Sequence, residues 1–427
     1  MLFSSDQGKI LPLSLKAACF FLLAGLLIYP FTIAGSNFFF ALLLLTVLLF
    51  QRDILAQGWR VCWHEYRHIT LGILLLIGFN IVGSLWSGGF FDTDLALHKI
   101  SKQINWIFVP IIIGLVFINP KLRLQAFIFL SIGMFLHLIA CTLQDLGVLN
   151  IVRQGSNIYD ATGFVGHLGF GFIYGIWAGV LLVVAQHLPA KWKYVCYALS
   201  LYAVITVFLA QGRSGYITTL ACLSIVFLKI WFPHRWKLKL LVFTTLIISI
   251  SMFIYTNEPT KKKLEHTISG VASFLQGDWH QAEIRIKIWA VSLEIWKEKP
   301  FFGVGTSGYP SAAMDMLQKP QIDYLEINPA IASVFYGHPH QEFLFALARW
   351  GPLGLLALVY LCWSWLRAGW KKNWQSDNIN AYLITASALS VILHGMTEPS
   401  LNVRIETVFA IIALGFGLSP SQPKSKT

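Results

Sequence analysis

The stretch GHPHQEFLFALARWGPLG, residues 337–354, gathers polar chemistry at the mouth of an apolar run. His338 and His340 flank Pro339, and Gln341, Glu342 and Arg349 follow closely. An imidazole titrates near pH 6.5, so a histidine at a water–lipid boundary suits general-base work. An HxH pair is also a common metal-ligand spacing. No Cys or acidic cluster completes a set in the sequence, and Glu342 is the only nearby carboxylate, so no metal and no cofactor is expected. Ordinary interfacial histidines are the alternative reading.

Two arginines sit in comparable settings. Arg213 lies in AQGRSGY, where Gly212 and Gly215 free the backbone to approach a ligand and Ser214 adds a hydroxyl. A guanidinium fork matches phosphate oxygens bidentately, which makes this turn a candidate phosphate site. A snorkelling arginine in a tight turn is the other reading. Arg285 opens EIRIKIWAVSLEIWKEK, where Lys287, Lys297 and Lys299 are also candidates, or a solvated face. FFGVGTSGYP (301–310) has the GxGxxG spacing of dinucleotide folds, but Pro310 and a short loop follow it, so it reads as a flexible turn. Gly171, Gly175 and Gly179, four apart, read as a stripe for close helix packing.

The elements that position these residues follow from composition. The chain has 427 residues, 56% hydrophobic and 12% charged, with a mean hydropathy of +0.64. Soluble domains carry about 25% charged residues, so most of this chain faces lipid. Apolar runs approach or, with their flanks, reach the roughly 20 residues that cross a bilayer. The expected fold is an all-α polytopic membrane protein with twelve spans, near 13–33, 36–50, 69–87, 103–118, 122–143, 163–187, 194–210, 214–232, 239–256, 341–366, 379–397 and 404–418. The first resembles a signal peptide but no small-residue cleavage site follows, so it is expected to be retained.

Lys and Arg distribution orients the spans. One set of loops and termini holds eighteen: Lys9, Lys16, Arg52, Arg60, Arg67, Lys121, Arg123, Lys191, Lys193, Lys229, Arg235, Lys237, Lys239, Arg367, Lys371, Lys372, Lys424 and Lys426. The opposite short loops hold five: Lys99, Lys102, Arg153, Arg213 and Arg404. Both termini are therefore expected in the cytoplasm, and the net charge of +12 follows from this asymmetry rather than from nucleic-acid binding.

The expected divisions are 1–256 (nine spans), 257–340 (an outer loop domain), 341–418 (three spans) and 419–427 (a cytoplasmic tail). In the loop, Ile284, Ile288, Val291 and Ile295 share one helical face, with Trp289 and Trp296 on a neighbouring one, which suits a helix lying on the membrane surface. None of the six cysteines lies in the loop, so disulfides do not hold it.

With that layout, the residues resemble a family. His340-Gln341, nine residues, then Gly351-Pro352-Leu353-Gly354 matches the H[NSQ]-x9-G-x2-G pattern of the O-antigen ligases. AQGRSGY, EIRIKIW and FFGVGTSGYP precede it in order, and the large loop before the tenth span also fits. The resemblance implies a metal-independent, inverting glycosyltransferase of the GT-C type in lipopolysaccharide biosynthesis. It would sit in the inner membrane of a Gram-negative bacterium with a periplasmic active site. It would move O-antigen polysaccharide from undecaprenyl diphosphate onto a terminal sugar of lipid A–core. By this resemblance the functional histidine is His340 and the two functional arginines are Arg213 and Arg285.

That chemistry suits the residues. Cations stabilise a departing diphosphate, and His340 can take the proton of a sugar hydroxyl. Ser214, Gly215, His338, Gln341, Lys297 and Lys299 are the expected substrate-binding residues. Arg349 is expected to pack or to pair with a carboxylate, a diphosphate contact being the other reading. Glu398 and Arg404 belong to the last outer loop at no readable distance. An O-antigen polymerase and a protein O-oligosaccharyltransferase would share donor and arginines. A small-anion transporter would need charged or unwound mid-membrane segments and inverted repeats, which are not seen.

Overall fold

The computed structural model describes residues 12–87, 100–151, 162–210, 212–231, 235–256, 258–325, 327 and 329–420. Among these, every regular element is helical. Lys9, Lys99, Arg153, Lys424, Lys426 and most of the expected tail lie outside the described residues.

The N-terminal half runs α1 (Leu13–Ile28), α2 (Ile33–Phe50), α3 (Arg52–Glu65), α4 (Arg67–Val82), α5 (Phe108–Ile118), α6 (Leu122–Asp145), α7 (His167–Val184), α8 (Ala190–Leu209) and α9 (Arg213–Ile225), the last continued by a π-helical turn, Val226–Trp231. Then come α10 (Trp236–Thr256), α11 (Glu258–Leu275), α12 (Ile284–Glu298), α13 (Tyr309–Met316), α14 (Glu342–Lys371), α15 (Asn378–Gly395) and α16 (Arg404–Leu418). Seven helical segments are long and apolar enough to cross a membrane: Ile33–Phe50, Arg67–Leu85, Leu122–Asp145, Gly169–His187, Ala190–Leu209, Ser214–Trp231 and Glu342–Lys371. The other five expected spans coincide with helices too: α1, Lys102–Ile118, α10, α15 and α16. α3 was not anticipated. It lies in an expected cytoplasmic loop, and its Gly58 meets the Pro110 carbonyl so closely that a Cβ would overlap it.

α7 lies at the centre, its described residues from Gly169 to Val184 all buried. Its glycine stripe works as expected. Gly171 lies against Gly215 and Gly175 against Thr219 of α9, while Gly179 meets the Tyr382 ring of α15. With no hydrophobic drive between helices inside lipid, such close contact supplies the dispersion energy that holds them.

The segment between α10 and α14 has its own apolar core, and the stripe expected to face the membrane surface packs into it. Ile288, Val291 and Ile295 of α12 are buried with Val304, Tyr309, Met316, Leu325, Phe335 and, from α14, Phe345 and Ala348. The apolar stripe faces protein. A stripe in a sequence states that something apolar covers it, not whether lipid or a neighbouring helix does.

α14 breaks at Gly351, which has φ 67° and ψ −167° inside the helix. Pro352 has no N–H for the carbonyl of Ala348. The FFGVG segment makes up the loss: Val304 N–H donates to Ala348 O (2.9 Å) and Gly305 N–H to Arg349 O (2.8 Å). Gly303 and Gly305 have φ of 62° and 86°, and a Cβ on Gly351 would overlap Phe301 O. Trp350 Nε1 donates to Thr306 Oγ1 (3.0 Å), which donates to Asn80 O (2.8 Å). The expected flexible turn is thus a buttress pinned between α4 and the break in α14.

Candidate functional site

The break and its buttress fix the first turns of α14. Gln341 is the N-cap, its side chain accepting the Leu344 N–H. That role occupies the side-chain oxygen expected to serve substrate. His340, just before the cap, has φ 51°, the only non-glycine positive φ among the described residues. Its N–H donates to His338 Nδ1 (3.3 Å), and the two rings stand edge to face with centroids 4.3 Å apart. A left-handed residue other than glycine costs about 1–2 kcal/mol, and such strain gathers at functional sites.

The partner of His340 comes from the turn between α15 and α16. Glu398 N–H donates to His394 O (2.8 Å) and Ser400 N–H to Glu398 O (2.9 Å), so its backbone is anchored to the end of α15. The side chain is 2% exposed. Its Oε2 lies 2.9 Å from His340 Nδ1, and its Oε1 accepts Arg285 Nη2 at 2.9 Å. One carboxylate therefore joins the expected base to one of the two expected cations. Burial pushes the Glu398 carboxyl up, but the hydrogen bond from His340 and the charges of His340, Arg285 and His338 outweigh it, and the group lies below the ordinary carboxylate value. An ionised carboxylate can only accept. The Nδ1 of His340 therefore carries a proton, and in the neutral ring Nε2 keeps its lone pair.

Arg285 enters from the first turn of α12, where Glu283 caps the helix by accepting Arg285 N–H (2.6 Å). Its side chain is 25% exposed, as is that of His340. A cavity of about 600 Å³ opens beside Arg285. Arg285 and Ser214 line it beside Phe274, Trp279 and Trp289, with Thr397 next to Glu398. Ser214 Oγ is buried and has no hydrogen-bond partner among the described residues.

The remaining expected site residues are placed as follows. Arg213 is the first residue of α9, one position before Ser214; its side chain lies outside the described residues. Gly215 is helical and packs on Gly171, so its lack of a side chain serves helix contact. Lys297 pairs with Glu294 (2.6 Å), and Lys299 is exposed at the far end of α12. Twelve residues of helix, about 18 Å, separate Lys297 from Arg285, so neither lysine joins the cluster. Lys287, the third lysine weighed beside Arg285, is 6% exposed and donates to His280 O (3.2 Å).

Arg349, expected to pack or to pair with a carboxylate, reaches Glu342 through the Asn402 amide. It is 1% exposed and donates to Asn402 Oδ1 (3.1 Å), while Asn402 Nδ2 donates to Glu342 Oε1 (2.6 Å). Leu401 N–H donates to Glu342 Oε2 (2.7 Å), and Phe345 and Trp350 cover the guanidinium at 3.9 and 4.0 Å. Arg404 opens α16, with its Nε buried and unpaired. Glu398 also completes what looked incomplete in the sequence, since His338, His340 and Glu398 present ligand atoms within 4.8 Å of one another.

Residues 196–359 match the family model described as O-Antigen ligase. That segment, less than half of the chain, is similar to the O-antigen ligases. The matched segment contains Arg213, Ser214, Arg285, His338 and His340, whereas Glu398 lies outside it. No curated protein matches this sequence. The apolar helices point to a multi-pass membrane protein, all-helical among the described residues, whose matched segment is of the ligase and polymerase type.

Proposed function

We propose that the protein is an O-antigen ligase of the Gram-negative inner membrane, with twelve spans, cytoplasmic termini and a periplasmic site. It transfers polysaccharide from undecaprenyl diphosphate to a terminal sugar of lipid A–core. The observation that carries this reading is the single carboxylate of Glu398 holding both His340 and Arg285.

The chemistry follows from that arrangement. An acceptor hydroxyl approaches His340 Nε2, and its oxygen attacks the anomeric carbon of the donor sugar. The bond from that carbon to the phosphate oxygen breaks, its electron pair stays on undecaprenyl diphosphate, and the hydroxyl proton passes to His340. Glu398 holds the ring by Nδ1–H and stabilises the imidazolium, the orienting role of a third group behind a base. Arg285 and Arg213 stabilise the departing diphosphate. The apolar cavity beside Arg285 and Ser214 is suited to the first units of a polyprenyl chain. One displacement inverts the anomeric centre, needs no covalent enzyme intermediate and routes no step through a metal.

A deletion strain tests the reaction. Bare lipid A–core beside accumulated long lipid-linked polymer establishes a ligase. Core bearing a single repeat makes the protein a polymerase, and an unchanged lipopolysaccharide ladder rejects both and points to glycoproteins. Complementation with Arg213→Lys is expected to fail, because a point charge does not replace the fork.

A further inference from the structure

We propose that His338, His340 and Glu398 bind a borderline divalent transition ion, of which Zn²⁺ is the type, and that occupancy stops transfer. The binding stands on geometry alone; the inhibition rests on the function proposed above.

Each of the three side chains offers one ligand atom, and these atoms lie within 4.8 Å of one another. The His340–Glu398 edge is 2.9 Å long. Two donors about 2.0–2.1 Å from one ion at a tetrahedral angle stand about 3.3–3.4 Å apart. That edge, a hydrogen bond as it stands, therefore opens by about half an ångström to take an ion, and His338, with its ring packed on that of His340, closes the third side. Two imidazoles and one carboxylate suit zinc, cobalt or nickel rather than magnesium or calcium. His340 is a quarter exposed, so an ion and its waters can reach it. Arg285 stays on the other Glu398 oxygen, and its fixed charge opposes the ion. The site is therefore weaker than a resident catalytic centre and responds to ambient metal.

Occupancy reverses the tautomer. The ion takes the Nδ1 lone pair and Glu398 Oε2, so the single proton of the neutral ring moves from Nδ1 to Nε2. An Nε2 that carries a proton cannot accept one from the acceptor hydroxyl. The base is removed without any change of fold.

The test uses the full chain, without a polyhistidine tag, in detergent micelles after chelator treatment. Titration with Co²⁺ is read by visible d–d absorption, which does not depend on transfer. One equivalent is expected, displaced by Zn²⁺ and unaffected by Mg²⁺. His338→Ala and Glu398→Gln are each expected to weaken binding about 100-fold, since loss of an outer-shell partner alone costs 10–100-fold. Zn²⁺ is expected to abolish transfer by the wild type and to leave the residual transfer of His338→Ala unchanged. No absorption above the buffer control, or absorption unchanged in His338→Ala, overturns the site. Zn²⁺ binding without loss of transfer overturns the switch. A Co²⁺ signal in a protein that transfers no glycan rejects the ligase reading and leaves the site standing, while transfer without a Co²⁺ signal does the reverse.

Discussion

Two carboxylates sit where the start of α14 meets the turn before α16, and they do opposite things. Glu342 reaches from the helix to the turn, where Leu401 N–H and Asn402 engage both its oxygens. Glu398 reaches from the turn towards the helix mouth, to His340 and Arg285. The partners of Glu342 lead inward to Arg349, buried under Phe345 and Trp350. Those of Glu398 lead to two side chains a quarter exposed, of which Arg285 lines a cavity. The two segments are thus clasped reciprocally, once by a closed polar cluster and once by an open one. What separates structure from chemistry here is exposure: the side chains of Arg285 and His340 are each a quarter exposed, and Arg349 is 1% exposed.

The sharpest way to break the comparison is to remove the open cluster's base. His340→Ala is expected to lower transfer about 1,000-fold, within the range for a lost general base. His340→Asn keeps a residue that tolerates the left-handed backbone and is expected to be equally inactive. Normal transfer by either variant, measured with lipid-linked donor and lipid A–core, removes the base assignment. Glu398→Gln comes next, at about 100-fold. The amide keeps shape but loses the charge that steadies an imidazolium.

The closed cluster should answer differently. Glu342→Ala leaves Arg349 buried without its carboxylate and is expected to destabilise the protein by about 3–5 kcal/mol. That is a large share of the ~5–15 kcal/mol typical of folded proteins, so the yield of folded protein in detergent should fall steeply. Glu342→Gln with Arg349→Met replaces both charges, since a buried pair exchanged for neutral groups of similar size is often near neutral. Folded yield and transfer are expected to recover together in the double variant. A double variant that folds but does not transfer would give the closed cluster a part in the chemistry.

The sequence made one side of this comparison legible and hid the other. His340 and Arg285 stood out as polar groups at apolar boundaries, and the Gly171 stripe announced helix contact by its spacing. Glu398 was visible only as a charge in the last outer loop, because the contacts that define it span 58 and 113 residues. Periodicity reports which face of a helix is apolar, so it found α12; it does not report what covers that face. The same limit hid the FFGVG buttress. Its glycines read as freedom, but their positive φ values let the backbone reach two carbonyls of α14 beside the Pro352 break.

The smallest effect tests the open cluster through pH. Glu398 has a folded-state carboxyl below its ordinary value, because the hydrogen bond from His340 and the surrounding positive groups outweigh the effect of burial. A carboxyl depressed in the folded state contributes stability that is complete above the unfolded value, about 4.3. That contribution is lost only as pH falls through the lower folded value. The difference in melting temperature between wild type and Glu398→Gln should therefore stay constant from pH 8 down to about 5. It should close only under more acid conditions. A gap that closes between pH 7 and 5 would mean that the carboxyl is not held ionised by the cluster. His340 Nδ1 would then have no fixed acceptor to keep its proton, and Nε2 would not be reserved as the base.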